Sequence, residues 1–111
     1  MDDPRVWKAL SSPHRRALLD ALRDGPKTTT ALCEVLPKLS RYAVMQHLGV
    51  LERAGVVLVR REGRERWNRL NAVPIQRELE RWLNGFQQAS AARLLALERH
   101  LEGSTPKEEE T

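Results

Sequence analysis

Residues 40–55 spell out a helix with both ends marked. Ser40 supplies a side-chain oxygen for the orphan N–H groups of a first turn, and Gly55 supplies the residue that tolerates a left-handed backbone just past a last turn. At about 100° per residue, Val44, Leu48 and Leu51 share one face of the 41–54 segment, whereas Tyr42, Gln46, Gly49 and Arg53 share the opposite one. The first face is built to pack and the second is free. Just upstream, Thr28-Thr29-Thr30 offers another cap for residues 31–36, which Pro37 ends after about two turns. A short helix, a tight turn and a longer capped helix therefore follow one another.

The flanking sequence extends this pattern. A short helix is expected over residues 5–10, and Ser12-Pro13 starts another, with Ser12 as cap and Pro13 at the first helical position. Leu18 and Leu22 stack one turn apart in it, beside Ala17 and Ala21, until Asp24-Gly25-Pro26 stops it. After Gly55, Val56-Val57-Leu58-Val59 and Arg66-Trp67-Asn68-Arg69-Leu70 read as two strands of a hairpin with Gly63 in its turn and a charged tip. A final helix carries Leu79, Leu83, Phe86, Ser90, Leu94, Leu97 and Leu101 at spacings of three or four, with Trp82 alongside. From Ile75 to Leu101 it would span about 40 Å at about 1.5 Å per residue, more than a small domain needs to close its own core. Part of that stripe wants a partner chain. The expected class is mainly α with a small β-hairpin wing (α+β), a winged helix-turn-helix dimerising through its terminal helices. Residues 1–102 form the domain, and 103–111, polar with three consecutive glutamates, form an acidic, disordered tail.

The length of 111 residues suits one domain, and 41% hydrophobic with 31% charged residues excludes a disordered polymer and a membrane span. Met1-Asp2-Asp3-Pro4 opens acidic, unlike a signal peptide, so a cytoplasmic location is expected. The one cysteine, Cys33, allows no internal disulfide. The net charge is +4, and because residues 107–111 carry −2, residues 1–106 carry +6. From Glu52 to Arg69 lie six arginines and three glutamates, which is either a solvated strand face or a phosphate-binding one.

In a helix-turn-helix the second helix enters the major groove and a wing flanks it, so double-stranded DNA is the expected partner. Near the start of that helix Ser40, Arg41, Tyr42 and Gln46 are polar and unneeded for the core; Gln suits adenine and Arg suits guanine. Met45 lies between the faces, open to a thymine methyl or to the core. Gly49 either admits a close approach to the DNA backbone or is a neutral surface glycine. Arg61, Arg64 and Arg66 are the wing candidates, for phosphates or the minor groove. His14 has no serine, cysteine or paired carboxylate placed to use it, His47 reads as a partly buried residue beside the packed face and His100 as a surface residue near a helix end, so no enzyme and no cofactor are expected. The other reading of the same surfaces is a winged-helix protein-interaction module whose basic wing meets an acidic partner.

The chain resembles the ArsR-type winged-helix repressor family. The resemblance lies in Leu10-Ser11-Ser12-Pro13-His14-Arg15-Arg16-Ala17-Leu18-Leu19, in residues 40–57 with the pattern Ser40, Val44, His47-Leu48, Leu51, Ala54-Gly55, Val57, and in residues 61–71. It implies a homodimer on a palindromic operator, repressing transcription of its own or a neighbouring operon. It places base contacts on Tyr42, Met45 and Gln46, where many members carry serine or histidine, so the operator preference does not carry over. It also implies a dimer interface on the first and last helices, here Trp7 with Leu79, Trp82, Leu83, Phe86, Leu94 and Leu97. Metal-sensing members pair cysteines in the helix before the recognition helix, where this chain has Ala31-Leu32-Cys33-Glu34-Val35. Their second site uses carboxylates and imidazoles on the last helix, of which this chain has Glu98, His100 and Glu102 near the end and only Glu78 and Glu80, with no histidine, near the start. No metal site is expected, and Cys33 is expected to be a small buried residue.

Overall fold

The computed structural model describes residues 3–102, so the tail expected at 103–111 lies outside the described residues. These fall into two compact units that meet in sequence at Glu78 and Leu79.

In the first unit, α3 (Thr29–Cys33) and α4 (Arg41–Arg53) pack on a three-stranded sheet, and α1 (Pro4–Leu10) and α2 (Pro13–Ala21) pack on α4 and on each other. Local chemistry sets most boundaries. Asp3, Ser12, Thr28 and Ser40 each accept from a backbone N–H of the first turn they precede, as the caps of α1, α2, α3 and α4. At the end of α4, Gly55 with φ +77° donates to the Glu52 carbonyl and Val56 to the Leu51 carbonyl, the paired bonds of a Schellman exit. α3 is shorter than the sequence suggests. It ends at Cys33, and the N–H groups of Glu34, Val35 and Leu36 bond three residues back in tighter turns before Pro37.

The wing consists of β2 (Val57–Glu62) and β3 (Glu65–Leu70), antiparallel in the register Val57↔Leu70 to Glu62↔Glu65. Gly63, at φ +62°, takes the first place of the two-residue loop, where a side chain would be strained. The expected hairpin is in fact a sheet of order β1-β3-β2, because β1 (Lys27–Thr28) pairs with Asn68 and Trp67. Two residues are too few to show a period-2 pattern, so this strand is specified by its partner. Opposed residues share a sheet face. One face carries Val57, Val59 and Arg61 opposite Leu70, Asn68 and Arg66, and turns toward the helices; the other carries Leu58, Arg60 and Glu62 with Trp67 and Arg69.

The core gathers Ala9, Leu18, Leu22, Leu32, Val44, Leu48, Leu51 and Val56. Each Leu or Val contributes about 1.5–3 kcal/mol by leaving water. Two polar side chains are buried with them. Asn68 Nδ2 donates to Thr29 Oγ1 at 3.0 Å and to the Lys27 carbonyl at 3.3 Å, fixing the start of α3 to the sheet. The unit closes with the first turns of α5 (Val73–Glu102), where the buried Glu78 accepts from the backbone N–H of Asp3 at 3.1 Å and from Trp7 Nε1 at 3.0 Å.

The second unit is the continuation of α5 beyond Glu78. Along it Leu79, Trp82, Leu83, Phe86, Leu94, Leu95, Leu97 and Leu101 are exposed, and the Trp82 and Phe86 rings lie 6.3 Å apart. No helix among the described residues is long and apolar enough to cross a membrane.

Candidate nucleic-acid interface

The Ser40 cap decides which way α4 presents its side chains. With Ser40 Oγ accepting from Ala43 N–H at 3.1 Å, the helix starts where Val44, Leu48 and Leu51 face inward and are buried. Arg41, Tyr42 and Gln46 are then exposed, Tyr42 at 73% of its surface. Met45 is half-buried against the core and also lines an outer groove, so core packing and outward contact coincide in it. A Cβ added at Gly49 would meet only the flexible Arg53 guanidinium, its nearest atom at 3.3 Å. The fold itself does not require glycine there.

Arg41 does not wave freely. Its Nη1 donates to Thr30 Oγ1 at 3.3 Å and lies 3.9 Å from Cys33 Sγ, so α3 holds it at the start of α4. Cys33 is half-buried rather than buried. Among the wing candidates, Arg61 and Arg64 are exposed near the tip. Arg66 is different: its Nη2 lies 2.7 Å from Glu52 Oε1, and only 17% of its side chain is exposed.

These residues converge. A groove of about 210 Å³ between α3, α4 and the wing is lined by Thr28, Thr29, Thr30, Arg41, Met45, Arg61, Arg64, Glu65 and Arg66. With Arg66 paired to Glu52, Arg41, Arg61 and Arg64 against Glu65 still leave the groove net positive, which favours a polyanion. A larger depression of about 350 Å³ on the other face of the sheet, over Leu58 and Trp67, lacks that convergence, and its Arg60 is already paired with Glu62 at 3.3 Å.

Behind the interface, Arg15 ties three helices together. Its guanidinium donates to the Lys8 and Ala9 carbonyls at the end of α1, at 2.7 and 3.1 Å, and lies 3.2 Å from His47 Nδ1 on α4. Arginine can only donate, so Nδ1 accepts and the ring proton sits on Nε2. Burial, then the Arg15 charge, then His14 hold His47 below its ordinary 6.5.

Sequence reasoning missed Thr30 and Glu52, which hold Arg41 and Arg66. Glu52 does leave a signal, an acid in the last turn of a helix where the dipole disfavours it. Trp7, expected at a dimer interface, is half-buried with its indole donated to Glu78. Among the described residues no three His, Cys, Asp or Glu side chains gather to hold a metal.

Known proteins share this geometry. A helix-turn-helix domain family model matches residues 10–60. The transcriptional repressor SdpR of Bacillus subtilis is 33% identical over 79 residues, 71% of this chain and 87% of that protein. The HTH-type transcriptional regulator Rv2034 of Mycobacterium tuberculosis is 36% identical over 91 residues, covering 76% and 84%. An ArsR-like transcriptional regulator from Rhodococcus sp. RHA1 superposes with a TM-score of 0.78 at 27% identity, covering 92% of each chain. With its capped recognition helix, its basic wing and these relatives, the chain belongs to the ArsR family of winged helix-turn-helix proteins and is a DNA-binding transcriptional regulator.

Proposed function

We propose that two copies of this chain bind a palindromic operator in the cytoplasm and repress transcription of their own or a neighbouring operon. Each copy places α4 in the major groove of one half-site, with Tyr42 and Gln46 on base edges and Met45 beside them. Arg61 and Arg64 lie along the flanking backbone or minor groove. Ser40, Arg41 and Gly49 border the same DNA surface. The observation that carries this reading is the groove shared by the start of α4 and the wing, with its excess of arginine. The repressor name of SdpR supports the direction of regulation. The stripe of large apolar side chains exposed along α5 beyond Glu78 supports pairing of copies through the terminal helices, because so much apolar surface on one helix needs a cover. Such a dimer obstructs polymerase sterically and needs no metal, since Cys33 has no second thiol beside it.

Fluorescence anisotropy tests this with the DNA upstream of the coding sequence and a scrambled duplex, at two salt concentrations, with and without zinc. Preference for the upstream duplex, indifferent to zinc, is the expected result. Equal weak binding to both duplexes would favour a protein partner, and release by zinc would return the chain to the metal-sensing members.

A further inference from the structure

α4 ends with a carboxylate where the helix dipole opposes one. Glu52 sits in the last turn, beside carbonyls carrying partial negative charge. Arg66 of β3 compensates for it, with Nη2 2.7 Å from Glu52 Oε1; the Arg66 side chain is 17% exposed and that of Glu52 45%. Arg66 Nε is buried with no hydrogen-bond partner, so the geometry that meets Glu52 leaves that donor unmet. The backbone carbonyl of the same residue accepts from Thr29 Oγ1 and from Asn68 Nδ2, each at 3.5 Å, and both of those side chains are buried. One residue of the wing therefore touches the end of α4 through its side chain and the start of α3 through its backbone.

We propose that Glu52 and Arg66 form a clasp that sets the angle of the wing against α4, with Arg66 acting as a positioning residue for sequence-specific binding. The proposal rests on the reading that α4 and the wing bind DNA together. Charge and geometry make opposite predictions for the neutral variant Glu52→Gln. If Arg66 serves only as a positive charge, losing the carboxylate strengthens binding to every duplex. If the pair is a clasp, the wing loses its angle to α4, and the operator suffers while random DNA does not.

The test begins by enriching a duplex from a random library with the wild-type protein. Affinities for that duplex and for its scrambled counterpart are then measured for the wild type, Glu52→Gln, and the charge swap Glu52→Arg with Arg66→Glu. Hydrogen exchange of the hairpin amides is followed without DNA. Glu52→Gln is expected to lower the enriched-to-scrambled ratio about tenfold. It is also expected to speed exchange in residues 60–66 while leaving the core unchanged, and the swap is expected to recover much of both. An unchanged or raised ratio overturns the clasp. If the wild type enriches no duplex, the reading of the interface itself fails, and unchanged hairpin exchange in Glu52→Gln overturns the clasp separately.

Discussion

Gln46, proposed to read a base edge, is exposed past the capped start of α4 and faces away from Val44, Leu48 and Leu51, which hold the helix to the core. Gln46→Ala is expected to cost about 1–3 kcal/mol on an operator and little on scrambled DNA. Anisotropy titration of both duplexes checks it, and equal losses would show that Gln46 reads no base. His47, one residue on, belongs to stability. Its folded-state pKa lies below the unfolded value of 6.5, so the unfolded chain takes up the proton first as pH falls. The stability that His47 contributes is complete above about pH 6.5 and is lost as pH drops from there through its depressed pKa. Urea midpoints at pH 7.5 and pH 5.5 should fall further apart in the wild type than in His47→Asn, whose Oδ1 can keep accepting from Arg15. Equal differences would remove His47 from the acid dependence.

At the scale of elements, what is legible in the sequence is what is specified locally. Ser12, Ser40 and Gly55 act within one turn of themselves and occupy the positions their chemistry predicts, while of the threonine triple it is Thr28 that caps, two residues earlier than a helix over 31–36 would place it. β1 is not legible, because Lys27 and Thr28 become a strand only through Asn68 and Trp67, far along the chain. Asn68 itself reads as an ordinary strand residue, and its burial follows from the sheet face that turns toward α3. The candidate site divides the same way. Arg41, Met45, Arg61 and Arg64 can be named from helix face and turn position, whereas the partners Thr30 and Glu52 need the fold. The wing then makes its own prediction. Replacing Arg61 and Arg64 together by Ala should weaken binding to every duplex and flatten the plot of log affinity against log salt by about 1.8, roughly 0.9 for each phosphate that is no longer neutralised. An unchanged slope would take the wing tip out of the interface.

At the scale of the molecule the decisive element is α5. Thirty residues make a helix about 45 Å long, and isolated helices are marginal in water unless an apolar face finds a cover. Beyond Glu78 this helix exposes Trp82 at 52% and Phe86 at 65%, with their rings 6.3 Å apart and leucines before and after them. A second copy of the same helix offers a matching stripe, and in a two-fold interface each residue acts twice. Trp82→Glu would therefore set two carboxylates into one apolar interface, at a cost of the order of several kcal/mol for each ion left unpaired. Sedimentation velocity should find the wild type at twice the 12.7 kDa chain mass and Trp82→Glu at the chain mass. Because the substitution lies outside the unit that carries α4 and the wing, the monomer should keep its salt-dependent affinity for random DNA and lose its preference for a two-half-site operator. A variant that keeps both the dimer mass and the operator preference would move the interface off this stripe.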